Sequence, residues 1–348
     1  MSAEAKGKQM TICICGGGNL GHSIAGRAAA VLEGKASVRL LTRKPDLWSH
    51  TIVVEDDCGG VFSSPLSMVT DDVCQAVCDA DIVLLCLPGY AITSELLRLK
   101  PFLSPRVLLG SVVCSTGFFF DAFDVLGKET PLFGFQRVPF VARIADYGKK
   151  SYIWGYRKEV FMATSHIDSD SCTKLQLLFE QLFGTPVSLL QSYMEAALTN
   201  SNPILHTGRL YTMWRDWDGQ PMERQTYFYK EWTDEASETI IAMDQEFFQL
   251  LSALNVRKGA IKPLLEHYES VDAQSMTYKI RSIPSLAKVL SPMIEVEGGF
   301  VPDLQSRYFI EDFPYGLSLI CKLAKDQGVP TPIMDKINAW GMSMCQNR

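Results

Sequence analysis

Several kinds of chemistry have no foothold in this 348-residue sequence. There is no CxxC pair, and the five histidines (His22, His50, His166, His206 and His267) form no H-x3-H pair, so neither common zinc signature is present. The ten cysteines are therefore read as free thiols acting as small hydrophobes. Cys13 and Cys15 are expected on opposite sides of a strand, and Cys74 and Cys78 stand at helical i,i+4 spacing. No apolar run reaches the roughly 18 residues needed to span a bilayer. The stretch from Met1 to Gln9 is small and polar, without the apolar core of a secretory signal, so a cytoplasmic location and no membrane contact are expected. Positive charge is also short: 33 Lys and Arg against 39 Asp and Glu, scattered along the chain, which argues against a nucleic-acid partner.

What is present is an alternation of short apolar runs and helical patterns. Strands are expected at Met10–Cys15, Ser37–Thr42, Ile82–Leu87 and Arg106–Val113. Helices are expected at Leu20–Leu32, Asp71–Ala80 and Tyr90–Leu103. Short, wholly apolar strands separated by helices mark a parallel sheet buried on both faces. Tyr152–Thr164 reads as one or two further strands, and Ser171–Phe183 as a helix closed by Gly184. Beyond Tyr193 the strand signal fades, and helices are expected from Thr233, from Tyr315 to Gln327 and from Pro332. The fold class is therefore α/β, an N-terminal Rossmann doubly wound parallel sheet followed by a C-terminal all-α domain. The boundary is set near residue 190, giving domains at 1–190 and 191–348.

The run Gly16-Gly17-Gly18-Asn19-Leu20-Gly21 fits G-x-G-x-x-G between the first strand and an Ala-rich helix. Gly16 is read as the tight turn, Gly18 as the point where backbone approaches a pyrophosphate, and Gly21 as the site of close helix–sheet packing. The phosphates then lie at the positive end of the helix. An NAD enzyme usually places Asp or Glu at the end of the second strand. This chain has Thr42-Arg43-Lys44, two cations that suit a 2′-phosphate, so NADP(H) is favoured and NAD(H) remains the alternative. Leu87, Pro88 and Gly89, at the carboxyl edge of the fourth strand, are expected to line the nicotinamide ribose.

In the second half two segments stand out: Asn202-Pro203-Ile204-Leu205-His206, where Pro203 can open a helix, and Arg307 to Leu317, where Glu311 and Asp312 occupy a turn before a helix. With the glycine loop, the run Gly134–Gly148 and Gly328-Val329-Pro330-Thr331-Pro332, these residues resemble the octopine/nopaline (opine) dehydrogenase family over nearly the whole chain. The resemblance implies NAD(P)H-dependent reductive condensation of an amino acid with a 2-oxo acid. It implies His206 as the acid–base group, Asp312 as its carboxylate partner and Arg307 as the holder of the 2-oxo acid carboxylate. Asn202 is read as either a helix cap or a contact to bound substrate or cofactor, and Arg143 and Tyr147 as cleft-lining or structural. The aromatic group Tyr211, Trp214, Trp217, Tyr227, Phe228, Tyr229 and Trp232 is read chiefly as core or interface. Partners are expected to be small molecules. The oligomeric state is left open, a homodimer being one arrangement.

Two other functions compete. One is a 2-oxo acid or hydroxy acid reductase of the ketopantoate reductase or glycerol-3-phosphate dehydrogenase type, which relies on a catalytic lysine rather than a His–Asp pair. The other is a non-catalytic NADP-binding sensor, since fold alone does not prove chemistry.

Overall fold

A computed structural model describes residues 9–115 and 117–346. The chain divides into two compact units, Met1–Ala197 and Leu198–Arg348.

The first unit is built on an eight-stranded sheet. In chain order its strands are β1 (Met10–Cys15), β2 (Ala36–Leu41), β3 (Met68–Thr70), β4 (Ile82–Leu85), β5 (Leu108–Val112), β6 (Leu132–Phe135), β7 (Val160–Ser165) and β8 (Val187–Leu189). They lie in the order β8-β7-β6-β5-β4-β1-β2-β3. β1 to β6 run parallel, and β7 pairs antiparallel with β6. β1 to β6 therefore follow the 3-2-1-4-5-6 order of a dinucleotide-binding sheet. The order reverses between β1 and β4, and the carboxyl ends of those strands face the glycine turn.

Both faces of the sheet are covered, which is why β4 is buried along its whole length. One core layer joins Ile12 and Ile14 of β1 to Ile24, Ala25 and Ala28 of the helix α1 (Asn19–Val31) and to Phe179 and Phe183. The opposite layer joins Cys13 and Cys15 to Ala76, Ile92, Leu96 and Phe119. Cys13 and Cys15 thus share a face, their sulfurs 3.9 Å apart, and the expectation of opposite faces is corrected. Alternation along a strand has a period of two, so residues i and i+2 point the same way. A four-stranded sheet formed by Val53–Asp56, Val61–Phe62, Phe140–Asp146 and Lys150–Tyr156 packs on the α1 side.

The second unit is helical. Its longest helix, Asp234–Ala253, is capped by Thr233, whose hydroxyl accepts from the Ala236 N–H, and Asp234 and Glu235 occupy its first turn. Glu246 on this helix is buried and accepts from the Ile333 and Met334 N–H groups, so it caps the final helix Pro332–Gln346 from outside. The sequence expectation missed a hairpin here, Met293–Val296 with Gly299–Pro302, and in the first unit the strands Val53–Asp56, Val61–Phe62 and Met68–Thr70. The turn of the hairpin, Glu297-Gly298, carries Gly298 at φ 90°, a left-handed state that glycine adopts without a Cβ clash.

Among the described residues no helix is long and apolar enough to cross a membrane, and no group of three or more His, Cys, Asp or Glu could hold a metal ion.

Candidate active site

The glycine turn is held by contacts that leave no room for side chains at two of its positions. Gly16 has φ 121°, and a Cβ there would lie 2.6 Å from the Cys86 carbonyl oxygen beyond β4. A Cβ at Gly21 would lie 2.0 Å from the Gly16 carbonyl oxygen. Gly21 therefore packs on the turn itself, where helix–sheet packing was expected. At Gly18 a Cβ would meet nothing within 4 Å, so the space beside this residue is open. Gly18 is also the N-cap of α1, with no side chain capping the helix, so the first N–H groups of α1 point toward that space. Asn19 turns its amide oxygen to the Ile144 N–H at 2.9 Å and braces the turn from outside, and Leu20 is half-buried.

His22, one turn into α1, is completely buried and fixes this geometry from below. The Gly148 N–H donates to its Nε2 at 2.8 Å, so Nδ1 carries the hydrogen and donates to the Gly18 carbonyl at 2.9 Å. Burial lowers its pKa, which suits a neutral ring with both nitrogens committed. The ring lies 3.9 Å from that of Trp48 and meets Tyr147 edge-on at 5.0 Å.

A pocket of about 240 Å³ opens beside the turn, and Gly16, Gly17, Thr42, Arg43, Lys44, Leu87 and Pro88 all line it. The end of β2 and the end of β4, which the sequence analysis assigned to different parts of the cofactor, thus share one wall system. Thr42 is buried, whereas Arg43 and Lys44 are exposed and make no ion pair among the described residues. Tyr90, Glu95 and Arg98 of the helix Gly89–Leu99, which were not expected from the sequence, also line the pocket. Their position just past the switch-point strand was the available signal. Glu95 is buried, and its two oxygens accept from Arg98 Nη1 at 2.9 and 2.7 Å. With that pair neutralised, the net local charge comes from Arg43 and Lys44. Tyr147 lines the same pocket; Arg143 is exposed and donates to its neighbour's carbonyl.

In the second unit His206 ends a wide, π-type helical stretch, Ser201–His206, that runs on into the helix Thr207–Trp214. Asn200 anchors its start, donating to Asp244 Oδ1 at 2.7 Å and to the Lys262 carbonyl at 2.9 Å. Asp244 also accepts from the Leu264 N–H; burial pushes its carboxyl up, and these two bonds act the other way. The N-cap position is Asn200, so the capping role considered for Asn202 is corrected; Asn202 is exposed in the first turn.

Asp312 lies within a second wide helix, Tyr308–Leu317, which includes Pro314. The expected turn before a helix is instead a helix of wider pitch. Pro314 has no N–H for an ordinary i→i−4 bond, and a π-type turn keeps the chain helical around it. The two wide segments touch closely: a Cβ at Gly316 would come 3.0 Å from the Pro203 ring. This contact brings His206 Nδ1 to 2.8 Å from Asp312 Oδ2, across 106 residues of sequence. Both side chains are about 15% exposed, shielded yet reachable. The carboxylate can only accept, so Nδ1 carries the hydrogen and Nε2 is left as the working nitrogen.

Tyr229 places its hydroxyl 3.1 Å from that Nε2, and the Tyr308 ring lies 4.7 Å from the imidazole. Tyr229 stood among the core aromatics in the sequence analysis, and most of that group is indeed buried. Its separation of 23 residues from His206 hid the contact. Arg307 is 81% exposed at its side chain and donates from Nε and Nη2 to Glu311 Oε2 at 3.1 and 2.6 Å.

Residues 189–345 match the family described as NAD/NADP octopine/nopaline dehydrogenase, alpha-helical domain. The chain is 29% identical to opine dehydrogenase of Haliotis discus hannai, over 96% of this chain and 89% of that one. It is 26% identical to octopine dehydrogenase of Mizuhopecten yessoensis, over 95% and 89%. An octopine dehydrogenase structure with NADH and L-arginine superposes with a TM-score of 0.83 at 24% identity, covering 96% of this chain and 89% of that one. The helical half of the chain thus matches the alpha-helical domain of the octopine/nopaline dehydrogenase family, and over nearly its whole length the chain is similar to NAD(P)-dependent dehydrogenases that act on CH–NH donors.

Proposed function

We propose that this enzyme condenses the amine of an amino acid with a 2-oxo acid, at the expense of NAD(P)H, with His206 as the general acid–base and Asp312 as its partner. The observation that carries this reading is the 2.8 Å bond between His206 Nδ1 and Asp312 Oδ2. A carboxylate on one ring nitrogen fixes the tautomer and stabilises the imidazolium. The other nitrogen can then give a proton to the oxygen that leaves as the carbinolamine becomes an imine, and reclaim one in the reverse direction.

The residues of the first unit fit a nicotinamide dinucleotide: the turn at Gly16, Gly18 and Gly21 is open at Gly18, and Asn19 and Leu20 begin the helix that faces the phosphates. Bound there, the cofactor supplies the hydride that reduces the imine carbon. Thr42, Arg43 and Lys44 would hold the adenosine end, and the two cations, which make no ion pair among the described residues, favour NADPH over NADH. Leu87 and Pro88 would contact the ribose. Arg307 would hold the 2-oxo acid carboxylate, its guanidinium aligned by Glu311, and Asn202 would contact bound substrate or cofactor.

The test is NADPH oxidation followed by absorbance, with pyruvate alone and with pyruvate plus a panel of L-amino acids that includes arginine. Turnover is expected only with an amine present, and His206→Ala should lower kcat at least about 100-fold. Equal rates without any amine would overturn the proposal in favour of a simple 2-oxo acid reductase.

A further inference from the structure

We propose that Tyr229 is a positioning residue for the acid–base step, its hydroxyl holding Nε2 of His206 while Asp312 holds Nδ1. The proposal rests on His206 being the acid–base group.

Three groups from distant parts of the sequence form one chain: Asp312 Oδ2 to His206 Nδ1 at 2.8 Å, and His206 Nε2 to the Tyr229 hydroxyl at 3.1 Å. A phenol suits the second contact because it can reverse. With neutral imidazole the O–H donates to the Nε2 lone pair; with imidazolium the Nε2–H donates to the phenol oxygen. The same neighbour therefore serves both protonation states without moving its ring. The position of that ring is strongly fixed. Arg209, three residues beyond His206 and buried, donates from Nε to the Phe228 carbonyl at 3.3 Å and from Nη2 to the Glu231 carbonyl at 2.7 Å, bracketing Tyr229. The same guanidinium lies 5.4 Å over the Trp232 ring, which is parallel to the Tyr229 ring within 4° at 5.9 Å. Arg281 Nε also donates to the Trp232 carbonyl at 2.7 Å. The helix that carries His206 thus also carries the clamp that sets Tyr229 against it.

The two states do not gain equally from the phenol. Charge-assisted hydrogen bonds are about twice as strong as neutral ones, so the contact favours the imidazolium. Around it, Asp312 acts in the same direction. Tyr308 from the wide helix and Tyr268 are the other titratable groups near Tyr229, and burial keeps both of them, like Tyr229, in the uncharged phenol form. Arg209 is the charged group on the His206 helix, and it faces away into the 228–232 turn.

The experiment is the pH profile of kcat/KM for reductive turnover, with NADPH, pyruvate and the most active amine, in wild type, Tyr229→Phe and His206→Ala. Tyr229→Phe keeps the ring stacked on Trp232 and removes only the hydroxyl. Reduction consumes the protonated acid, so activity falls as pH rises, and in Tyr229→Phe that fall should begin about half to one pH unit lower. kcat should drop about tenfold while NADPH binding stays unchanged. If Tyr229→Phe leaves the profile in place or moves it upward while His206→Ala abolishes turnover, the role of Tyr229 is overturned and the acid–base assignment stands. If His206→Ala keeps its turnover, the assignment itself falls. Should Tyr229→Phe fail to fold, imidazole nitrogen NMR of the wild-type protein decides: at high pH His206 should carry its hydrogen on Nδ1, and a hydrogen on Nε2 overturns the proposal.

Discussion

Gly316 leaves space for Pro203: a methyl group at Gly316 would begin 3.0 Å from the proline ring, tighter than ordinary van der Waals contact. These two residues belong to the segments that carry Asp312 and His206, so their closeness sets the distance between the acid–base pair. Gly316→Val should push the two wide helices apart. A displacement near 1 Å can cost about 100-fold in rate, so kcat should fall by up to that factor while NADPH affinity is retained. Steady-state kinetics with a parallel NADPH titration checks both numbers, and a wild-type kcat in the variant would show that the contact does not govern the pair.

Two glycines of the cofactor turn should respond differently to the same substitution. Gly18→Ala adds a methyl to open space, so the thermal midpoint should stay close to wild type while NADPH binding weakens about tenfold or more. Gly21→Ala places a carbon 2.0 Å from the Gly16 carbonyl, so both stability and binding should be lost. Differential scanning fluorimetry with and without NADPH separates them; equal loss of stability in the two variants contradicts the argument.

Cofactor choice should depend on charge at the end of β2. Arg43→Ala combined with Lys44→Ala should weaken NADPH about tenfold or more and leave NADH nearly unchanged, because only the former carries a 2′-phosphate. The wild-type preference should also shrink as salt rises, as expected for exposed cations. Fluorescence titrations of both cofactors at two ionic strengths test this, and parallel weakening of NADH would show a general rather than a phosphate-specific effect.

His22 should make the first unit acid-sensitive. Burial holds its pKa below the unfolded value near 6.5, so the ring is neutral in the fold and its contribution is fully present above that pH. As pH falls below about 6.5 the unfolded chain binds a proton that the native chain resists, and stability declines toward the lowered native value. Protonation would also remove the acceptor for the Gly148 N–H. The thermal midpoint of wild type should therefore drop more steeply between pH 7 and pH 5 than that of His22→Gln. Parallel slopes in the two proteins would contradict this.

Much of the first unit was legible because its determinants are local. Ile82 to Leu87 read as a strand buried on both sides, and Ile82–Leu85 forms it; in the second unit Thr233 with Asp234 and Glu235 marked a helix start, since caps and periodicity act within one turn. The hairpin at Met293–Pro302 escaped because its strands are short and partly polar. Cys13 and Cys15 were placed on opposite faces, a misreading of strand alternation that their shared core layer corrects. Arg98 with Glu95, spaced i,i+3 on the helix just past the switch-point strand, was legible and went unread. Tyr229 with His206 was out of reach for another reason: that contact depends on where a side chain lands after packing, and no periodic pattern records it.

The sequence by itself determined the alternation of strands β1, β2, β4 and β5 with helices, the glycines at 16 and 21 and the absence of a carboxylate at Thr42-Arg43-Lys44. These follow from backbone sterics and hydrophobic periodicity, which act over a few residues. Only the tertiary structure decided which nitrogen of His206 meets Asp312, that a phenol lies at the other nitrogen, and that Arg43 and Lys44 make no ion pair among the described residues. Those facts are set by directional contacts of about 3 Å between segments up to 106 residues apart, and such contacts exist only once the helices between them have packed.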